Sequence, residues 1–411
     1  MTSAQVFKPT RWTLLFLLLS AMMILMGGAA VAPALPLISA AFPDASDATI
    51  SLIITLPALA IALTGIFIGA LSDRIGRIPV LAGSVAVFTI AGSSGYYLTS
   101  LPLLLAGRFI LGIGIAGIIC TTSALVISYY DGVTRTKILG YQAAAMGFGV
   151  LVLEISGGFL AGFSWHAAFL IYLLGLVILA GVLLTMREPA APKLEEIAGA
   201  PDEKFPLFPL MLVYISIFFG NMMFFLLPTK FPYLIAGMDA ARIFGENTAL
   251  ASGIFLGISG LASTLVGLFY GRFAWRLHRY SLLTISMLCF AVGLCSLGFA
   301  TSLVTVAFGV ICVGIGEGML MPTILNWIAA ITPRQFLGRA SGGFSVALNL
   351  GNFAISLAMV PVIAIVTTCS NLFLAFGCAA FVLALPYLVA TLKLKYGIPQ
   401  KTPLPADSGT H

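Results

Sequence analysis

Long uninterrupted stretches of hydrophobic residues alternate along this chain with short polar segments. Twelve of the stretches are long enough for an α-helix to cross the hydrocarbon core of a bilayer, which takes about 18–20 residues. Because the apolar positions are continuous, they predict helices; the strands of a membrane β-barrel would alternate apolar and polar residues over about ten positions. The predicted helices occupy residues 12–33, 48–71, 79–98, 101–130, 138–163, 167–186, 207–234, 248–271, 281–300, 303–330, 340–366 and 372–392.

The composition agrees with an all-α membrane protein. Of the 411 residues, 60% are hydrophobic and only 8% are charged, whereas about a quarter are charged in soluble domains. The first stretch is longer than a signal peptide, and Pro33 follows Ala32 where a cleavage site would continue with small residues, so we expect a retained helix. The six cysteines lie inside the stretches without ligand spacing, which predicts neither a metal site nor a cofactor.

The basic residues of the polar segments predict the orientation, because lysine and arginine accumulate on the cytoplasmic side. With the N-terminus inside, only Lys230 and Arg242 fall outside. Both termini are therefore predicted to be cytoplasmic, in the inner (plasma) membrane. The net charge of +6 then reflects topology and contacts with membrane lipids, and no nucleic acid is expected. The basic residues on the inner side are Lys8, Arg11, Arg74, Arg77, Arg135, Lys137, Arg187, Lys193, Lys204, Arg272, Arg276, Arg279, Arg334, Arg339, Lys393, Lys395 and Lys401.

One charged, proline-rich segment divides the chain into two groups of six helices. The segment reads "REPAAPKLEEIAGAPDEKFP" and is typical of a flexible linker. The groups resemble each other: "GRFILGIGIAG" at 107–117 is matched by "GVICVGIGEGM" at 309–319, an offset of 202. We expect two pseudo-symmetric six-helix bundles at 1–186 and 207–392, the linker at 187–206 and a cytoplasmic tail at 393–411. Such repeats place a binding site at the midplane and alternate its access by rocking.

Three motifs resemble those of the major facilitator superfamily, and the resemblance covers the whole chain. "GALSDRIGRIPVL" (69–81) is similar to the loop signature between the family's second and third helices. "LLLAGRFILGIGIAG" (103–117) resembles its fourth-helix motif, with Leu111 in place of the usual glutamine. "GVLVLEISGG" (149–158) resembles the fifth-helix motif of drug–proton exporters, with Leu153 and Glu154 in place of the central Gly-Pro. The resemblance implies a secondary transporter of the twelve-helix drug–proton antiporter branch.

The loop motif has two interpretations. The resemblance implies a gate that closes the cytoplasmic side by bonding to helix 11 and to the end of helix 4, where Asp131 is available for an arginine. The alternative is a topology anchor, although anchoring alone would not require an aspartate and two glycines. A helix N-terminus would favour the aspartate through its macrodipole. The candidate gate residues are Gly69, Asp73, Arg74, Gly76, Arg77 and Asp131.

Three ionisable residues lie well inside the predicted helices: Arg108, Glu154 and Glu317. Each costs about 2.5–3.5 kcal/mol or more at a helix centre, so a function is the default expectation. Arg108 and Glu154 lie at similar depths on consecutive antiparallel helices, and a pair is geometrically possible. A neighbouring arginine would keep Glu154 ionised and structural, whereas burial alone would favour a neutral acid that can carry a proton.

Glu154 shares a helix face with small residues, including Gly147, Gly157, Gly158 and Ala161, which favours close packing against the other half of the chain. The alternative to a proton site is therefore a neutral acid hydrogen-bonded across that interface.

Glu317 lies near the membrane midplane with no partner in the sequence pattern other than Asn221, Asn349 or Asn352. We expect it to be the main proton or substrate site, against the alternative of a hydrogen-bonded core acid. Lys230 is expected to extend towards the membrane surface, with a substrate gate as the alternative.

Three functions compete. The first is a monomeric, proton-coupled exporter (an antiporter) in which Glu317, with Glu154, exchanges protons for small lipophilic or cationic compounds. The second is uptake or facilitated diffusion of a small metabolite, or lipid or glycolipid translocation, on the same scaffold. The third, an enzyme, is not expected, because no G-x-S-x-G, H-E-x-x-H or Walker A pattern is present.

Overall fold

The computed structural model describes residues 9–189, 205–238, 247–333, 336–366 and 368–396, without the side chains of 133, 136, 273 and 394–396. These residues form helices and no strand, and they include twelve helices long and apolar enough to span a membrane. The predicted all-α fold is confirmed. The α-helices of these spans are α1 Arg11–Ala29, α2 Asp47–Ile75, α3 Arg77–Ser93, α4 Leu101–Tyr129, α5 Gly132–Ala161, α6 Leu174–Thr185, α7 Leu207–Gly237, α8 Thr248–Arg276, α9 Arg279–Gly298, α10 Leu303–Ile331, α11 Leu337–Ile365 and α12 Cys369–Tyr396. Short helical segments beside α1, α3 and α6 lengthen the first, third and sixth spans to Arg11–Ala41, Arg77–Tyr96 and Ala167–Thr185.

The first span is interrupted, which the hydropathy pattern did not predict. The helix α1 ends at Ala29, a 3-10 turn follows at Ala32–Ala34, and a short helix continues over Leu35–Ala41. Proline has no backbone N–H and disfavours a helical conformation in the residue before it, so Pro33 and Pro36 account for the break. Likewise α6 is preceded by a 3-10 helix, Ala167–Leu173, which carries two aromatic residues into the N-terminal half.

The internal repeat predicted from the sequence is present in the packing. A β-carbon on Gly112 of α4 would overlap the carbonyl oxygen of Pro57 in α2, and one on Gly314 of α10 would overlap that of Ser259 in α8. Gly314 lies 202 positions after Gly112, and Ser259 lies 202 positions after Pro57. Such close backbone approach is what small residues permit between membrane helices. The offset recurs where α4 meets α3 and α10 meets α9: Gly114 with Ser84 and Phe88, and Gly316 with Ser286 and Phe290.

The two halves meet along α5 with α8 and along α2 with α11. We call the end of the molecule that carries Pro9 and Tyr396 the basic end and the opposite one the far end. Towards the far end the contacts are tight: β-carbons on Gly158 or Gly253 would overlap backbone across the α5–α8 interface. Thr55 of α2 also shares a 2.6 Å hydrogen bond with Ser356 of α11.

Towards the basic end the same helix pairs diverge. Outside the helix that carries the glycine, no described residue lies within 4 Å of the β-carbon position of Gly140 in α5 or Gly271 in α8. The same is true of Gly65 in α2 and Gly342 in α11. The two halves are therefore closed against each other at the far end and separated at the basic end. Residues 190–204, most of the predicted linker, lie outside the described residues, and the division into domains stays a prediction.

Candidate transport site

Arg108, on the second turn of α4, is fully buried. Its Nη2 donates to the carbonyl oxygens of Gly92 (2.8 Å) and Ala91 (3.5 Å), and its Nη1 donates to the hydroxyl of Tyr172 (3.0 Å). The guanidinium also lies 4.9 Å from the ring centroids of Phe169 and Tyr172. Cation–π contacts of this kind are stronger without water. The arginine is thus enclosed by the N-terminal half.

The Arg108–Glu154 pair that the sequence allowed is not formed, because carbonyl groups take the place of the carboxylate. Gly92 lies in the last turn of α3, and the hydroxyl of Tyr172 donates to Met26 (3.0 Å) or Gly27 (3.2 Å) in the last turn of α1. The last four carbonyls of a helix have no partner within it and carry the negative end of its dipole. Two such ends therefore stabilise the buried cation. The helix α5 contacts α4 little and packs mainly on α1 and α8.

We expect Tyr172→Phe to destabilise the protein by about 1–3 kcal/mol, because the arginine and the carbonyls of α1 lose a buried hydrogen-bonding partner while the ring stays. The free energy of unfolding, measured by titration with sodium dodecyl sulfate, tests this. The matched control is Tyr97→Phe, which removes a hydroxyl from a ring that is 73% exposed and should change the value by less than about 0.5 kcal/mol. Equal effects of the two substitutions would contradict the assignment.

Glu154 lies at the interface between the halves, as its small neighbours predict. Its carbonyl oxygen occupies the space that a β-carbon on Gly253 of α8 would need. Its side chain is buried, and Oε2 has no hydrogen-bond partner among the described residues. Gly147 and Gly158, on the same face of α5, also lie directly against α8. The buried carboxyl group therefore lies directly at the contact between the two halves.

Glu317 is the fifteenth of the 29 residues of α10 and is 8% exposed. Its Oε2 has no hydrogen-bond partner, and no lysine or arginine of the described chain lies within ion-pair distance. Asn221 is the fifteenth of 31 residues in α7, and Asn352 the sixteenth of 29 in α11. Nδ2 of Asn221 and Oδ1 of Asn352 are also buried without partners.

These three side chains lie at one level on adjoining helices. The α7 backbone meets α10 where Gly220 packs on Leu320, and it meets α11 where Gly351 packs on the carbonyl of Phe218. Each contact is within three residues of the polar side chains. The C-terminal half therefore holds an unpaired acid, Glu317, and two unpaired amides at half depth, a group we call the polar trio. Asn349, the other predicted partner, donates instead to Ser345 of its own helix (2.9 Å).

The loop motif folds differently from expectation. Gly76 has a φ of +100°, a conformation that side chains other than glycine rarely adopt, and it turns the chain between α2 and α3. The N-terminus of α3 is occupied by Glu188 rather than Asp73: the carboxylate accepts from the backbone N–H groups of Arg77 (2.7 Å) and Ile78 (2.8 Å). A helix N-terminus favours a carboxylate in this position.

Only part of the predicted gate is assembled. Arg77 donates to the carbonyl of Ala124 (2.9 Å) and to Ser128, both near the end of α4. Asp131 does not receive an arginine of this loop, since it pairs with Arg135 one turn away in its own helix (2.8 Å). In the described chain, no hydrogen bond or ion pair joins Gly69, Asp73 or Arg74 to α11, because the halves are apart at this end.

Lys230 does not extend to the membrane surface as predicted. It is 3% exposed, and its Nζ lies 2.7 Å from Oδ2 of Asp47 at the start of α2. Its ammonium group also lies 4.9 Å from the ring centroid of Tyr233. This ion pair joins the two halves at the far end. Neither Asp47 nor Glu188 stands out in the sequence, because both belong to polar segments whose partners are set by tertiary packing.

Comparisons with known proteins agree with this architecture. The sequence profile described as the Major Facilitator Superfamily matches residues 17–276 and 240–409. The chain is 27% identical to the class C tetracycline resistance protein of Escherichia coli over 334 residues, 78% of this chain and 82% of that protein. It is 32% identical over 120 residues to the niacin transporter NiaP of Acinetobacter baylyi, 29% and 27% of the two chains. The solved structure of the nucleoside transporter NupG superposes with a TM-score of 0.78 at 15% identity, covering 92% of this chain and 99% of that one.

Proposed function

Because the chain belongs to the Major Facilitator Superfamily, and is thus a transporter rather than an enzyme, we propose that it is a proton-coupled exporter of small lipophilic or cationic compounds. The observation that carries the proposal is the unpaired carboxyl group of Glu317 at half depth in α10. Relatives whose similarity extends over most of this chain include two tetracycline resistance proteins and a multidrug efflux pump, which support the outward direction.

The carboxyl group of Glu317 can serve both partners of an exchange. An ionised carboxylate that is buried without a cation or a hydrogen-bond donor is very unfavourable. The site therefore holds either a proton on Glu317 or a cationic group of the substrate beside the carboxylate. Competition between the two at one group couples substrate movement to the opposite movement of a proton. The amides of Asn221 and Asn352 supply the donor and acceptor that orient a bound molecule.

Glu154 fits a second role in the same cycle. It lies at the α5–α8 interface, which must loosen when the far end opens. The carboxyl group of Glu154 can remain buried in the closed interface while it is protonated, and it can ionise once the opened interface exposes it to water. Arg108, already compensated by carbonyls and aromatic rings, then serves as a fixed positive charge that stabilises the N-terminal half.

The arrangement of the halves corresponds to one state of alternating access. With the basic end in the cytoplasm, as the distribution of lysine and arginine predicts, contacts close the outer side and the cytoplasmic side is separated. In this state, substrate and protons exchange with the cytoplasm. Both termini then lie in the cytoplasm of a cell whose inner membrane holds the protein, as a monomer surrounded by lipid.

A second candidate is uptake of a small metabolite with protons. The observation in its favour is the similarity to the niacin transporter NiaP over 120 residues. The amides of the polar trio would bind a small polar metabolite as readily as they would bind the polar group of a larger lipophilic compound. The two candidates differ in the direction in which protons and substrate move.

Transport into proteoliposomes with an imposed pH gradient and the membrane potential clamped at zero separates them. An antiporter concentrates substrate in the acidic compartment and a symporter in the alkaline one, whatever the orientation of the protein. We expect tetraphenylphosphonium or tetracycline to accumulate in an acidic lumen and to make it more alkaline, relative to protein-free liposomes. Accumulation of niacin in an alkaline lumen would favour the second candidate, and movement that ignores the gradient would overturn proton coupling.

A further inference from the structure

The repeat provides an internal comparison for the loops at the basic end. At the offset of 202, Arg74 corresponds to Arg276 and Arg77 to Arg279, so both arginines are kept. The two carboxylates of the first copy are lost: Asp73 corresponds to Trp275 and Glu188 to Ala390. The second copy adds Arg272 in the place of Ala70.

The second copy therefore has an uncompensated positive charge. With Arg187 included, the first copy combines three arginines with two carboxylates, whereas the second combines three arginines with none. Arg279 lies over the rings of Tyr280 (5.6 Å) and Trp327 (5.4 Å), but Arg272 and Arg276 have no carboxylate within ion-pair distance in the described chain. Burial and the neighbouring Arg279 lower the pKa of His278, so this ring adds no charge at neutral pH.

The surface around these arginines is both apolar and positively charged. Arg272 and Arg276 border a groove of about 790 Å³ at the end of α8, whose walls include Leu265, Phe269 and Trp275. Leu265 and Phe269 are each 47% exposed. Trp275, whose side chain is large and mostly apolar, is 89% exposed. Exposed tryptophan is typical of the membrane–water interface, where its ring lies among the lipid headgroups.

We propose that this groove, which we call the α8 groove, binds an anionic phospholipid of the cytoplasmic leaflet. The phosphate and the negative headgroup lie between Arg272 and Arg276, and the acyl chain follows Leu265 and Phe269 into the bilayer. Guanidinium groups bind phosphate oxygens through two parallel hydrogen bonds, which suits this pairing. The indole of Trp275 covers the glycerol region. The bound lipid supplies the negative charge that Asp73 and Glu188 supply in the first copy.

A lipid fits this site better than a free anion, because the groove continues from charged to apolar walls. A free phosphate would use only the two arginines and would leave the exposed leucine and phenylalanine without a role. An anionic lipid near the surface gains about fivefold in affinity for each nearby arginine. The preference should also weaken as salt rises, since these charges are exposed and screened.

Native mass spectrometry of the purified full chain with equal amounts of phosphatidylglycerol and phosphatidylcholine of matched acyl chains tests the proposal. We expect one phosphatidylglycerol to be retained in preference to phosphatidylcholine, and Arg276→Gln to reduce the preference about fivefold. Lys137→Gln removes the same charge from α5 at the same end, at a residue that does not line the groove, and should leave the preference unchanged. Trp275→Asp, which restores the carboxylate of the first copy, should reduce the preference more than Trp275→Asn.

Three results would overturn the proposal. One is equal retention of the two lipids by the wild-type chain. Another is equal loss in Lys137→Gln and Arg276→Gln, which would show attraction by the whole basic end rather than by the groove. The last is displacement of phosphatidylglycerol by inorganic phosphate at similar concentration, which would show a free-anion site without any contribution of the acyl chain.

Discussion

Replacing Glu317 by glutamine is expected to reduce accumulation of tetraphenylphosphonium against a pH gradient to the level of protein-free liposomes. Glutamine keeps the size and hydrogen-bonding capacity of the side chain, but it cannot bind and release a proton. Affinity for the cation should also fall by about tenfold to hundredfold, because a charge-assisted contact contributes about 1.5–3 kcal/mol. Exchange of labelled for unlabelled substrate, which needs no net proton movement, should persist at saturating concentrations.

The variant to compare with it is Glu154→Gln, which makes the same change at the α5–α8 interface. If Glu154 is a second proton site, coupling falls there as well while affinity for tetraphenylphosphonium stays within a few-fold. If it is a neutral acid that holds the interface, coupling survives. Full proton coupling in Glu317→Gln would show that the polar trio is not the site of exchange, and coupling in both variants would exclude both assigned acids.

Replacing Asp47 by asparagine is expected to open the far end. The substitution leaves the ammonium group of Lys230, which is 3% exposed, without its counter-charge. Breaking a fully buried pair costs about 3–5 kcal/mol and an exposed one less than about 1. Asp47 is 52% exposed, so a cost of about 1–3 kcal/mol to the closed state is expected. The ratio of open to closed molecules should rise by about tenfold to hundredfold.

Electron–electron distances between spin labels at Ser100 and Thr301, which are exposed at the far end of the two halves, would measure this change after the native cysteines are replaced. Asp44→Asn removes the same charge from the loop that precedes α2, where the side chain is exposed, and should leave the distances unchanged. Lys230→Gln should open the far end less than Asp47→Asn, because the remaining aspartate can be hydrated. An unchanged distance distribution in Asp47→Asn would contradict the role of the ion pair.

The helices and the repeat were predictable from the sequence because each depends on local composition. Continuous apolar stretches marked all twelve spans, and the glycines of the repeat marked the close contacts of α4 and α10. The break in α1 was not predicted, although Pro33 and Pro36 were visible, because hydropathy does not register the loss of backbone hydrogen bonds. The positions of Glu154 and Glu317 inside helices were predictable, since a charge within an apolar stretch needs no tertiary information.

The partners of the charged residues were not predictable, since they depend on which helices adjoin. Arg108 and Glu154 lie at similar depths on consecutive helices, yet α5 packs against α1 and α8. The arginine donates instead to carbonyls at the end of α3, and the hydroxyl of Tyr172 connects it to the end of α1. Lys230 was predicted to lie at the membrane surface, because the sequence does not show that Asp47 at the start of α2 lies next to it. For the same reason the sequence did not predict that Asp131 would pair within its own helix.

The central claim is that substrate and a proton compete for the carboxyl group of Glu317. The most direct measurement is the pH of a weakly buffered solution of the detergent-purified protein while tetraphenylphosphonium is added. The account predicts that protons are released by the wild-type chain as the cation binds and that release is lost in Glu317→Gln. The account would be contradicted if the cation bound to the wild-type chain without release of protons at any pH between about 5 and 9.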